Sequence, residues 1–239
     1  MRVPGPLLLA LFACAGLSGC VDVPRGNYLA DPGFEAGADD WFFFEGRDHW
    51  ASYTIAENPV FSGNRSARTL LESRPDGPLT LVVGAIQEVT RDEAGDRIPE
   101  RLAGNFRVES WSSLANKTYM QVVIGAFPEE HATEPLCPGV PPTSPCQLAY
   151  VLGGVDEIPI PVRNRHFFFL GTEVPAPSEW YAFERNVRDD FMTGWGVVPD
   201  AFDHVWIYLE TRYEDDGGRP GPRAVRVDSY WDDIYLGSF

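Results

Sequence analysis

Three stretches of this chain alternate between apolar and polar residues with a period of two, and a chain that does so repeatedly is committed to building sheets. From Asn105 to Ser112, Phe106, Val108 and Ser110 fall on one side of an extended backbone, and Arg107, Glu109 and Trp111 on the other. From Thr118 to Phe127, Met120, Val122, Ile124 and Ala126 oppose Tyr119, Gln121 and Val123. Near the end, Val205, Ile207, Leu209 and Thr211 alternate with Trp206, Tyr208, Glu210 and Arg212. Each pattern describes a strand with one face in a core. Further strands are expected at Trp41–Glu45, Trp50–Ile55, Leu79–Val89, Leu148–Leu152, Val162–Leu170, Trp180–Val187 and Ala224–Leu236, with Val60–Arg68 a turn running into a strand that continues through Leu71, punctuated by Asn58-Pro59, Pro75–Pro78 and Ala115-Asn116-Lys117. Asn186–Gly196 reads as a loop or one helical turn, and Glu214 to Gly218 as an acidic loop. No repeat, heptad or long amphipathic helix interrupts the series. With 239 residues, 23 Gly and 21 Pro, the expectation is one all-β domain of roughly ten or more strands with long loops at 91–104, 128–147 and 187–202.

The first residues stand outside that domain. Met1-Arg2 is a short basic segment, and Leu7–Ala15 is apolar but too short to span a bilayer as a stable helix. Leu17-Ser18-Gly19-Cys20 follows, and it resembles the lipobox of bacterial lipoproteins. The resemblance implies a signal peptide over 1–19, a lipidated Cys20, a tether over 20–26 and a domain over 27–239. Several acyl chains would make the membrane anchor stable, where one would be marginal. Val21 stands where an Asp would be the inner-membrane retention signal, so the implied destination is the outer membrane of a bacterial envelope. The alternative is an ordinary secretory signal in which Cys20 is incidental. Either way Cys14 is discarded, and Cys137 and Cys146 remain as an even pair in a proline-rich loop, read as a disulfide in an exported protein.

Charge narrows the partners. The formal net charge is −16, and cleavage would remove Arg2 and no acid. A strongly acidic chain is a poor ligand for nucleic acid or anionic lipid heads and suits neutral ligands or cations. His49, His131, His166 and His204 are scattered without metal-ligand spacing, and no serine-nucleophile motif or paired-carboxylate motif is present, so the chain is read as not an enzyme.

The segment Asn27–Trp41 opens the domain with turn chemistry at Asp31-Pro32-Gly33, then sends Phe34 and Glu35 to opposite sides and ends on a Trp. Together with Phe61-Ser62-Gly63-Asn64-Arg65-Ser66-Ala67 and the closing Tyr230-Trp231-Asp232-Asp233-Ile234, it resembles the β-jelly-roll carbohydrate-binding modules of the galactose-binding-like type, related to the families numbered four, nine and twenty-two. The resemblance implies a β-sandwich and a structural Ca²⁺ held by Glu35, Asp232 and the carbonyl of Gly33 or a neighbour. In the residues themselves, Asp232 is in phase with Ile234 and Leu236, which would aim its carboxylate inward. Arg side chains or backbone N–H groups are the alternative partners to an ion.

A second expectation concerns the ligand. Arg107, Glu109, Trp111, Tyr119, Gln121, Trp206, Tyr208 and Arg212 lie opposite the core on three predicted strands. Flat aromatic groups stack on the apolar faces of sugar rings while Arg, Gln and Glu bond the hydroxyls. Non-catalytic binding of a poly- or oligosaccharide is therefore expected. A structural or protein-interaction lipoprotein, its aromatics covered by the long loops, is the alternative. The oligomeric state is open.

Overall fold

The computed structural model describes residues 26–74, 76–115, 117–215 and 223–239. The implied signal peptide, Cys20 and the residues 216–218 of the acidic loop lie outside the described residues. Eleven strands and one helix follow in order: β1 (Trp50–Ser52), β2 (Thr54–Ala56), β3 (Ser66–Glu72), β4 (Thr80–Thr90), β5 (Arg101–Ser113), β6 (Lys117–Pro128), β7 (Cys146–Gly153), β8 (Arg165–Phe169), β9 (Trp180–Asn186), α1 (Val187–Trp195), β10 (Phe202–Glu214) and β11 (Val225–Gly237).

They form two sheets packed as a sandwich. One has six strands in the order β1-β4-β10-β6-β7-β8, and the other five in the order β2-β3-β11-β5-β9. The five-stranded sheet is antiparallel throughout, whereas β1–β4 and β7–β8 are parallel pairs at the edges of the six-stranded one. The core between the sheets holds Leu102, Val108, Ile124, Leu148, Ile207, Leu209, Phe191 and Trp231. Thr69, Thr211 and Ser229 join their hydroxyls inside this layer, and Trp231 Nε1 donates to Thr69 Oγ1 at 3.0 Å. Buried hydroxyls so paired avoid the cost of desolvation without partners.

Three local expectations change. Trp41–Glu45 is not a strand, and only Phe42 makes a bridge, to Ile86. Trp50–Ile55 divides at Tyr53 into β1 and β2, which join different sheets. Asn186–Gly196 contains the helix α1, capped by the Asn186 side chain accepting from Asp189 N and closed by Gly196 at φ 72°. Its buried Val187, Phe191 and Trp195 join the core, which is why a sequence with two glycines stays helical there.

Two bulges reset the phases read from alternation. In β5 the register with β11 slips at Glu109, so that Arg107 opposes Tyr230 but Trp111 opposes the buried Val227. Trp111 therefore turns to the core side and packs against the apolar clusters there. In β11 the register slips between Asp232 and Tyr235, with Asp233 at φ 50°. Trp231, Ile234 and Leu236 share the core. Asp232 thus points to the outer side of its sheet, not inward, and is buried because the 61–65 segment lies over it.

Asn27 and Tyr28, at the start of the described residues, meet the closing strand β11. Tyr28 N donates to Leu236 O at 2.8 Å, Asn27 Nδ2 donates to Ile234 O and its Oδ1 accepts from Leu236 N. The Cys137–Cys146 disulfide is formed and ties the proline-rich excursion to the first residue of β7. No helix of the described residues is long and apolar enough to cross a membrane.

Candidate functional site

The outer face of the six-stranded sheet carries a groove of about 410 Å³. Alternation along the central strand β10 sends Ile207 and Leu209 into the core and Trp206, Tyr208, Glu210 and Arg212 outward into this groove. Neighbouring strands complete it in register: Val82 from β4, Phe127 from β6, Gln147 from β7 and Arg165 from β8. The segment before β1 folds over one side and adds Phe44, Arg47 and His49, and β1 itself adds Trp50. At about 4.8 Å per strand interval, the floor from β4 to β8 runs roughly 20 Å across the strands.

The walls are aromatic. Phe44 stands edge-on to Trp50 at 5.0 Å between centroids and lies 5.7 Å from Trp206. Trp206 meets Phe127 at 4.6 Å and Tyr208 at 5.9 Å, and its indole N–H donates to Glu88 at 2.7 Å. These contacts fix the rings before any ligand arrives. Trp206, Trp50, Phe44 and Phe127 are half-buried, so part of each ring stays open to the groove.

The floor is polar and closely bonded. Gln121 Nε2 donates to Glu210, Arg212 donates to Glu210 at 3.3 Å and to Glu214 at 2.7 Å, and the Tyr119 hydroxyl donates to Glu214 at 2.8 Å. Arg165 Nε donates to Gln147 Oε1 at 2.8 Å. Burial pushes the Tyr119 and Tyr208 phenols far above their ordinary range and the Arg165 guanidinium below its own. Gln121 Oε1 and Arg212 Nε are buried with no partner among the described residues. Among the described residues, Glu210 is the carboxylate in the lining of the groove.

Of the eight residues expected on one ligand face, the structure brings five together on this sheet: Tyr119, Gln121, Trp206, Tyr208 and Arg212. Tyr119 and Gln121 are buried in its floor rather than presented. The other three lie on the second sheet. There Arg107 donates to Glu109 at 2.7 Å, Glu109 accepts from Ser178, and Trp111 faces the core. Phe44, Arg47, His49, Trp50, Phe127, Gln147 and Arg165 were missed. The alternation of Gln147, Ala149 and Val151 was a usable signal for β7, but nothing local announces that residues 44–50 fold onto a sheet face. A larger recess of 770 Å³ opens beyond Trp50, where Asp48, Glu72 and Asp76 contribute to its lining. Among the described residues its lining has two aromatic rings, Trp50 and Tyr213, against the wall of Phe44, Trp50, Phe127 and Trp206 in the groove.

Glu35, Gly33 and Asp232 converge near one corner, and it joins the three sequence stretches that suggested a family. Glu35 Oε1 accepts from Asn64 N at 2.6 Å and Arg65 N at 3.0 Å. Gly63 is at φ 63°, and a Cβ there would sit 2.1 Å from that same oxygen, so the turn requires glycine. Asp232 Oδ2 accepts from Phe61 N and Ser62 N, and its Oδ1 from Asp233 N. Burial first, and then the Asp233 charge, push the Asp232 carboxyl up to about 7 against these bonds. Ca²⁺ fits this corner in part. Asp232 and Asp233 flank Gly33 with their Oδ1 atoms, but amides already occupy Glu35, and among the described residues no group of three Asp, Glu, His or Cys side chains converges.

No protein-family model matches the chain, and a search among curated proteins finds no match. Solved structures similar to it include a carbohydrate-binding module of the β-sandwich superfamily, described for promiscuous specificity, at 11% identity over 89% of this chain and 63% of that one, TM-score 0.49. A second is the C-terminal family 22 carbohydrate-binding module of Clostridium thermocellum Xyn10B, at 10% identity over 90% and 96%, TM-score 0.44. A third is an enzyme, the endo-β-1,4-glucuronan lyase of Trichoderma reesei, at 13% identity over 84% and 92%, TM-score 0.43. The sandwich stands on its own strand pairing, and the groove on its own side chains.

Proposed function

We propose that the chain binds carbohydrate without chemistry, through the groove on its six-stranded sheet. The observation that carries this reading is the wall of prearranged rings, Phe44, Trp50, Phe127 and Trp206, facing a floor of Arg, Gln and Glu. Sugar rings need apolar platforms and bidentate polar partners together, and rings already held by neighbours lose little entropy on binding. Glu210 in the lining is tied to Gln121 and Arg212. In the same reading Cys20 is lipidated and holds the domain to the outer membrane, and a Ca²⁺ ion bound by Glu35, Asp232 and Gly33 steadies the corner where the opening segment meets β11.

The test is a glycan array with affinity electrophoresis of the full chain and of Trp206→Ala. The variant should lose at least tenfold in affinity for whatever the protein binds while melting within a few degrees of it. A silent array, or a Trp206→Ala variant that binds as well as the original, would overturn the reading and favour an envelope protein that keeps the sandwich for structure or protein contacts.

A further inference from the structure

Resting on the carbohydrate reading, we propose that the ligand is an acidic polysaccharide whose uronate carboxylates are gripped by Arg165 and Arg47. The lining contains three guanidinium groups, Arg47, Arg165 and Arg212, and one carboxylate, Glu210, although the whole chain carries a formal charge of −16. Arg212 is matched by Glu210 and Glu214. None of the ion pairs among the described residues uses Arg47 or Arg165. Arg65, Arg74, Arg97 and Arg163 also lack an ion pair among the described residues, but Arg47 and Arg165 are the two that line one groove together, where a single bound anion could meet both.

The setting of each supports this. Arg47 lies over the Phe44 ring at 4.2 Å, which holds its plane against the aromatic wall where a sugar would stack. Arg165 is held through Nε by Gln147 and lies over the Phe167 ring at 5.9 Å, its terminal N–H groups have no hydrogen bond among the described residues, and burial lowers its pKa while the nearby Glu210 charge raises it. A planar carboxylate accepting two parallel N–H bonds is the group that guanidinium geometry recognises best. A neutral glycan would bring neither guanidinium an opposite charge. Repulsion from the acidic remainder of the surface is screened beyond about 8 Å at physiological ionic strength, so the local cations decide the preference.

The experiment is affinity electrophoresis of the full chain in gels of polygalacturonate, alginate and glucuronoxylan, each beside its carboxyl-reduced form, with dextran sulfate as a further arm. At least one uronate polymer should bind at least tenfold more tightly than its reduced form. Arg165→Gln, or Arg47→Gln if the first variant fails to fold, should abolish that difference, while Trp206→Ala weakens binding to both forms. Equal retardation by acidic and reduced polymers overturns the uronate inference and leaves the carbohydrate reading intact. Dextran sulfate binding as tightly as the best uronate overturns it in favour of bare charge attraction. Silence with every polymer here and on the glycan array overturns the underlying reading as well.

Discussion

Asp232 shows how one carboxyl can report on a whole corner of the molecule. Its folded-state pKa is pushed up to about 7, mainly by burial, against an ordinary 3.8. Folding therefore favours its protonated form: the contribution is fully present below about pH 4 and is lost as pH rises through 7, a swing of order a few kcal/mol. In EDTA, the protein should melt at a lower temperature at pH 7.5 than at pH 4.5 by more than Asp232→Asn does. Millimolar Ca²⁺ should reverse that difference, because a cation stabilises the ionised form. Melting at pH 7.5 that is identical in EDTA and in Ca²⁺ would remove calcium from the corner and leave the amides of Phe61, Ser62 and Asp233 as its only partners. Alternation in sequence had Asp232 pointing inward; the extra residue at Asp233 turned it outward under another loop.

At the level of elements, the strands whose sequences alternate over their full length, β6 and β10, were legible, and so was the half of the groove that β10 supplies. β5 was legible only as far as Glu109. A bulge adds one residue, flips every side chain beyond it, and has no local signature, because the partner strand decides where the ladder slips. Trp111 moved to the core for that reason. Gln147 is legible from the alternation of β7, but its meeting with Arg165 depends on the parallel pairing of β7 and β8, which no local pattern encodes. The proline-rich excursion was read correctly as closed by a disulfide, and its position gives that bond a reach beyond stability. Cys146 begins β7, with Pro145 and Gln147 on either side of it lining the groove. Cys137→Ser with Cys146→Ser should lower unfolding stability by about 2–3 kcal/mol in urea titration. It should also weaken ligand binding at temperatures where the protein is still folded. An unchanged dissociation constant would show that Gln147 is held by the sheet alone.

For the whole molecule, the division of labour between the sheets matters most. The five-stranded sheet gathers Glu35, Asp232, Asn27 and Tyr28, and its outer side is stitched by ion pairs such as Arg68–Asp228. The six-stranded sheet holds the groove, with β10 at its centre and hydroxyls linking it to β3 and β11 through the core. The Gly33 corner and the aromatic groove thus belong to different sheets of the sandwich. Substitutions at the Gly33 corner should change melting far more than affinity, and those at Trp206 the reverse.

The meeting of Gly26–Tyr28 with Leu236–Ser238 has one more consequence. Backbone bonds such as Ser238 N to Gly26 O, at 3.2 Å, bring the start and finish of the described domain within a few atoms of each other. The order in which the strands are strung is therefore separable from the shape they make. Splicing residue 238 to residue 26 through a short glycine-serine bridge and cutting the exposed turn at Glu130-His131 should yield a circular permutant that folds to the same sandwich. It would keep its groove while moving both termini to a different loop, so the groove could be re-aimed relative to anything joined to a terminus, without altering a residue of its lining.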